Sequence, residues 1–205
     1  MLLVVGGQRR KVGKTAVVAG LISALPEARW TAVKVAGHAH EDASRMTGAT
    51  EVVERGEGYA LWRQVTADDT DTGRYLASGA RKSYLLETEP VALARAVPLL
   101  RRILQENRYT IIESSSVVEF LDADLFLMVA DPGSSDIKGS SHRNLERADA
   151  FVVTSSERRA RERDEMFPGV LATRPCFEAP GPGVPESLAE FVRRRMRLRP
   201  LETGP

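Results

Sequence analysis

The first fifteen residues, MLLVVGGQRRKVGKT, restrict what this chain can fold into more than any other stretch. An apolar run from Met1 to Val5 meets a glycine pair and closes on Gly13, Lys14 and Thr15, ahead of the helical run AVVAGLISAL. Strand, glycine-bearing loop and Gly-Lys-Thr at a helix start is the order that cradling a nucleotide's phosphates requires. Backbone N–H groups of the loop and first helical turn face the anion, and the helix dipole favours negative charge there. In such a site Lys14 reaches the β- and γ-phosphates and the Thr15 hydroxyl coordinates Mg²⁺. The expected cradle is Gly7, Gln8, Arg9, Arg10, Lys11, Val12, Gly13, Lys14, Thr15 and Ala16. The spacing G-x-x-x-x-G-K-[ST] puts its first glycine at position 8, where this chain has Gln8. Gly7 stands one place further out, so the loop is one residue longer. A chance Gly-Lys-Thr that only starts a helix is the bland alternative, and the strand-loop-helix context weighs against it. The run Arg9-Arg10-Lys11 is either a solvated turn or added field for an anionic ligand.

Beyond the loop, strand-like and helix-like segments alternate. Leu2–Val5 reads as a strand, Lys14–Leu25 as a helix ended by Pro26, and Trp30–Val35 as a second strand stopped near Gly37. Residues 38–70 are polar and glycine-containing and read as an irregular insert with a short helix. Asp71–Gly79 looks helical, Lys82–Leu86 extended, and Pro90–Glu106 carries apolar residues at helical spacing. Tyr109–Ile112, Leu125–Ala130 and Ala150–Val153 are short apolar runs of the kind that fill a parallel sheet. Asn144–Arg147 is expected to be helical, Val170–Ala172 a last strand and Glu186–Arg199 a terminal helix. The expected class is therefore α/β, a doubly wound, mostly parallel sheet with helices on both faces. Its 205 residues suit one large domain. Residues 1–180 would form the nucleotide-binding domain, and 181–205 a C-terminal helix and tail packed on it.

Composition narrows the function classes. A net charge of +1 gives no global argument for nucleic acid or a membrane surface. One cysteine, Cys176, excludes an intramolecular disulfide and any cysteine-based zinc cluster, and is expected to be packed at a strand end. No apolar run approaches the roughly 18 residues of a membrane span. No targeting segment is recognised, and the expectation is a cytoplasmic protein. The basic run Arg193–Arg199 is interleaved with Phe191, Val192, Met196 and Leu198, which favours an amphipathic helix over an RNA-binding tail.

In a sheet of this class, ligands sit beyond the carboxyl ends of the strands. Glu113 ends the run YTIIE and is either a solvent-facing acid or a holder of Mg²⁺ or its water. Lys34, inside AVKVAG, either leaves the sheet at an edge or reaches the site. Asp71 either caps a helix or completes a metal set with Thr15 and Glu113, with Asp68 and Asp69 as competitors. His38 and His40 form an H-x-H pair that Glu41 or Asp42 could extend into a metal site, although two surface histidines explain them as well. The stretch Ser134–Ser141 offers hydroxyls and Lys138 to an anion, or is a loop with a helix cap.

These residues carry a resemblance to known families. The loop Gly7–Thr15 resembles that of dethiobiotin synthetase, which has the same longer spacing. The segment from Asp71 to Ala80 is similar to the D-S-x-R-x-x-x-A-G-A stretch of the molybdopterin-guanine dinucleotide biosynthesis protein B family. Lys34 with His38 and His40 resembles that family's I-K-H-x-H-H stretch, with the histidines displaced. Both families belong to the signal-recognition, MinD and BioD class of phosphate-loop proteins, and the likeness spans scattered motifs over residues 1–130. It implies binding of Mg²⁺ and of ATP or GTP, with catalytic roles for Lys14, Lys34 and Glu113, and with Thr15, Asp71 and Glu113 on the metal. It departs where Ser114 replaces the glycine after the strand-end acid, and where Thr154-Ser155-Ser156-Glu157 stands instead of an N-K-x-D base-reading motif.

The reading that follows is a slow, Mg²⁺-dependent NTPase serving molybdenum cofactor biosynthesis as a nucleotide-binding adapter, with a small-molecule or protein partner. An ATP-dependent carboxylase or ligase of the dethiobiotin synthetase type and a non-hydrolysing phosphate-binding module are the alternatives. Homodimers are common in this class, and the reading allows one.

Overall fold

The computed structural model describes residues 1–37, 49–131, 139–154, 173–181 and 183–199. His38, His40, Glu41 and Asp42, the stretch 134–138, residues 155–157 and the expected strand at 170–172 lie outside the described residues. Within them, nine strands form one sheet: β1 (Leu2–Gly7), β2 (Thr31–Gly37), β3 (Thr50–Gly56), β4 (Tyr59–Gln64), β5 (Lys82–Thr88), β6 (Thr110–Glu113), β7 (Leu125–Ala130), β8 (Ala150–Val153) and β9 (Cys176–Glu178). Their spatial order is β3-β4-β5-β2-β6-β1-β7-β8-β9. All pairings from β5 to β9 are parallel, and only those of β4 with its two neighbours are antiparallel.

Period-two alternation sorts the central strands onto two cores. Leu3 and Val5 of β1, with Leu125, Leu127 and Val129 of β7, face helix α1 (Lys14–Ala24) and helix α5 (Glu186–Arg195). Leu2, Val4, Phe126 and Met128 face the other way, onto helix α3 (Leu93–Glu106). Helix α3 buries Leu93, Ala96, Val97, Leu100 and Ile103, the stripe that a 3.6-residue period produces. Both faces are thus covered, and β1 and β7 are buried at every residue, as continuous apolar runs demand.

Four elements differ from the sequence expectation. The insert expected to be irregular contains the hairpin β3–β4, turning through Glu57 and Gly58 and adding two strands to the sheet edge. Helix α4 covers Gly139–Asn144, and the segment expected to be helical, Asn144–Arg147, mostly tightens into a 3₁₀ turn over Leu145–Arg147. Cys176 begins an edge strand but is exposed rather than packed. Helix α5 ends at Arg195, short of Arg199. It is amphipathic as expected: Leu188, Ala189, Val192 and Met196 are buried, while Arg193 pairs with Glu27 at 2.9 Å and Arg195 with Asp149 at 2.7 Å. Among the described residues no helix is long and apolar enough to cross a membrane.

Candidate functional site

The loop between β1 and α1 is shaped by two glycines. Gly13, just before the helix, has φ 101°, a left-handed conformation that a side chain disfavours. Gly13, the residue at the N-cap of α1, has no side chain with which to take up the N–H groups of the first turn. Gly7 is needed for space: a Cβ there would lie 2.7 Å from the Lys14 stem and from Val12. Lys14 therefore lies back across its own loop and donates to the Arg9 carbonyl at 3.1 Å. This close approach gives Gly7, and not position 8, the role of the loop's first glycine.

Gln8 is fully buried and faces the sheet. Its N–H donates to the Val129 carbonyl at 2.8 Å, and its side-chain oxygen accepts from the Asp131 N–H at 2.8 Å. The extra loop residue is thus one more ladder position between β1 and β7. Arg9 reaches Asp131 at 2.8 Å; Arg10, Lys11 and Ala16 are exposed, and Val12 is buried.

Glu113 stands opposite Val5 on β1 and opposite Lys34 on β2, in register. Residues in register on adjacent strands share a face, which brings the Lys34 ammonium to the Glu113 carboxylate at 3.3 Å. Thr15 donates to the other carboxylate oxygen at 2.8 Å. Asp71, the first residue of helix α2 (Asp71–Ala77), accepts from Lys34. Thr15, Glu113, Lys34 and Asp71 thus form one connected chain of contacts, in which Asp71 meets Thr15 only through Lys34 and Glu113. Burial acts to lower the Lys34 pKa, but the Glu113 and Asp71 carboxylates together outweigh it and hold the ammonium above its ordinary value.

Asp68, a competitor of Asp71 on spacing alone, is committed to capping. It accepts from the Thr70 backbone at 2.9 Å and from the Gln64 amide at 2.8 Å. Thr70 in turn accepts the Gly73 N–H at 3.1 Å as the N-cap of α2. Asp69 lines the cavity beside Asp71.

One residue of the site, Tyr75, escaped the sequence reading. Tyr75, fully buried on α2, donates to the same Glu113 oxygen that Thr15 uses. Burial, and then the Glu113 charge, raise its pKa well above the ordinary phenol value, so it remains a donor. Its signal was the tyrosine four residues after Asp71, one helical turn on. Ser115 accepts from the Gly7 N–H at 3.0 Å and donates to the Gly7 carbonyl at 3.1 Å, and buried Ser141 donates to that carbonyl at 2.6 Å. Ser114, the departure from the family pattern, accepts from the N–H groups of Ser116 and Val117, both at 3.2 Å, and so caps the 3₁₀ turn Val117–Glu119. Its own N–H donates to the Val5 carbonyl at 3.1 Å, extending the β1–β6 ladder.

Two cavities adjoin this cluster and share Ala36 and Gly37. One, of about 410 Å³, opens in front of the loop and is bounded by Gly7, Arg9, Arg10, Lys14 and Glu113. The other, of about 520 Å³, lies past Lys34 and Asp71 toward the hairpin. Among the described residues, no group of three or more His, Cys, Asp or Glu side chains is arranged to hold a metal ion.

No protein-family model matches this chain, and a search of curated proteins returns no match in sequence. Solved structures do match. HypB from Helicobacter pylori, crystallised with nickel, aligns with a TM-score of 0.57 at 14% identity, covering 99% of this chain and 90% of that one. LpxK from Aquifex aeolicus, crystallised with ATP, aligns with a TM-score of 0.49 at 16% identity, covering 86% of this chain and 53% of that one. This chain has the α/β fold of the phosphate-loop NTPases, with Gly7–Thr15 joining its first strand to its first helix.

Proposed function

We propose that this chain is a Mg²⁺-dependent protein that binds ATP or GTP and hydrolyses it slowly, a nucleotide-binding adapter similar to molybdopterin-guanine dinucleotide biosynthesis protein B. The observation that carries this reading is the meeting of the Thr15 hydroxyl with the Glu113 carboxylate at 2.8 Å, in the first turn of α1, whose N-cap is a glycine. A phosphate-loop hydroxyl and a strand-end acid are the two protein oxygens that hold Mg²⁺ in such sites. The donor set fits that ion: oxygen atoms, few in number, the remainder left to phosphate and water. When bound, the ion would screen charge on the phosphate oxygens. Asp71 contributes indirectly in this scheme, as the partner that positions Lys34.

The rest of the chemistry belongs to this chain. Lys14 exchanges the Arg9 carbonyl for a phosphate oxygen, and the first-turn N–H groups of α1 point at the same anion. Lys34, fully protonated at neutral pH, adds positive charge near the terminal phosphate. Tyr75 keeps Glu113 oriented. The committed Ser114 N–H removes one donor that the family resemblance would direct at that phosphate, in keeping with slow turnover.

Phosphate release with ATP and with GTP, with Mg²⁺ and without, tests the proposal. Wild type should turn over one or both slowly, and Lys14→Ala should lose about a hundredfold in nucleotide affinity. If neither nucleotide binds at millimolar concentration with Mg²⁺, the phosphate-loop assignment is wrong. Stimulation by an amine substrate with bicarbonate would instead favour a ligase of the dethiobiotin synthetase type.

A further inference from the structure

We infer that the cavity in front of the loop binds a second small molecule beside the nucleotide's terminal phosphate, an organic anion with an apolar body. The inference rests on the nucleotide-binding reading for the position of that phosphate, but the apolar lining residues and Arg143 lie outside the loop.

Its location argues for a second reactant rather than for the nucleoside. Thr154, at the end of β8, closes one side of the loop: its hydroxyl donates to the Val12 carbonyl at 3.2 Å, and its methyl group would lie 3.1 Å from a Cβ placed on Gly13. The cavity lies on the opposite side. It is built from the ends of β2, β5 and β6 and from α4, and takes no residue from the end of β8. Lys14, which in such loops reaches the β- and γ-phosphates, stands at its boundary, as does Glu113. A molecule seated there would meet the terminal phosphate from the far side.

The lining selects the ligand class. Val35, Pro90, Leu93 and Phe120 form an apolar wall, and Phe120, 37% exposed, offers a ring face that the fold itself does not cover. Against that wall stand three guanidinium groups, of which Arg9 is already paired with Asp131. Arg10 is exposed and has no carboxylate partner among the described residues. Among the described residues Arg143 pairs with Glu119 alone, at 3.1 Å, with its side chain 63% exposed. An exposed pair of this kind is weak, so an arriving anion can draw the guanidinium away. Glu113, the cavity's other carboxylate, is already satisfied by Thr15, Tyr75 and Lys34. The balance favours an anion over an amine. A volume of about 410 Å³ is that of a small-molecule pocket and excludes a folded partner.

Carboxylate and phosphate monoester head groups share this chemistry, and a matched series separates them. Hexanoate, hexyl phosphate and hexylamine would be titrated calorimetrically into the full chain, with and without Mg²⁺ and a non-hydrolysable ATP or GTP analogue. At least one anion is expected to bind one-to-one, about tenfold more tightly than hexylamine. Arg143→Gln and Phe120→Ala should each weaken that anion severalfold and leave analogue affinity unchanged. Hexylamine binding as tightly as the anions, no anion binding at about 10 mM, or anion binding indifferent to both substitutions would each overturn the inference. An analogue that fails to bind wild type counts against the nucleotide reading alone, because the titrations without analogue still decide the pocket.

Discussion

The centre of the sheet and its hairpin edge are built on opposite principles. Strands β1, β6 and β7 are buried at every position, and they end in the site: β1 runs into the phosphate loop, and β6 ends on Glu113. The edge strand β3 has no buried residue, and Val52 and Val53 are about half exposed on it. Side-chain pairs to the neighbouring strand and helix, and one within the hairpin, hold it instead. Arg102 donates to Glu54 at 2.5 Å, the Trp62 N–H donates to buried Glu87 at 2.8 Å, and Arg55 lies 4.8 Å over the Trp62 ring. The centre couples stability to the site, because the strands that pack it also aim the functional groups. The edge is held by contacts that can change without disturbing the loop.

Substitutions can break that contrast. Phe151→Ala, at a fully buried position on β8, should cost about 3–5 kcal/mol by urea denaturation, since it opens a cavity in the core beneath α3. Tyr75→Phe keeps the ring but takes a donor from the buried Glu113 carboxylate. It should destabilise by about 1–3 kcal/mol and weaken Mg²⁺-dependent nucleotide binding, measured by denaturation and by titration.

Alkaline titration should separate the two regions next. The native state keeps the Tyr75 and Lys34 protons above the ordinary values of 10.0 and 10.5, where the unfolded chain has released them. Stability contributed by these groups is therefore complete below about pH 10 and falls as pH rises through the raised native values. Tyr75→Phe should show a shallower alkaline fall than wild type. The smallest effect belongs to the edge: Val52→Ala should stay within about 0.5 kcal/mol and leave nucleotide affinity unchanged. If Val52→Ala proves as costly as Phe151→Ala, the edge is not the independent region described here.

The same contrast explains what was legible in the residues. Buried parallel strands write themselves as unbroken apolar runs, so Leu125–Ala130 and Ala150–Val153 were readable to the residue. The hairpin, TEVVERGEGYALWRQ, mixes acids, arginines and glycines because β3 is exposed, and no clean period survives there. Pairing with β5 imposes its strand character. Lys34 and Glu113 could each be named from an odd residue in an apolar run. That they face one another depends on the register of β2 with β6, which no local pattern records.

The order of strand, loop, Gly-Lys-Thr and helix was determined by the chain alone, because backbone geometry at a loop-to-helix junction is local. So was the α/β class, because burial on both sheet faces needs apolar runs and amphipathic helices. Only the tertiary structure decided that Gln8 belongs to the ladder, that Ser114 caps a 3₁₀ turn, and that Tyr75 shares a carboxylate oxygen with Thr15. Those three residues act on partners 38 to 123 positions away or through a turn's backbone, and the distance between residues in space is set only when the sheet closes.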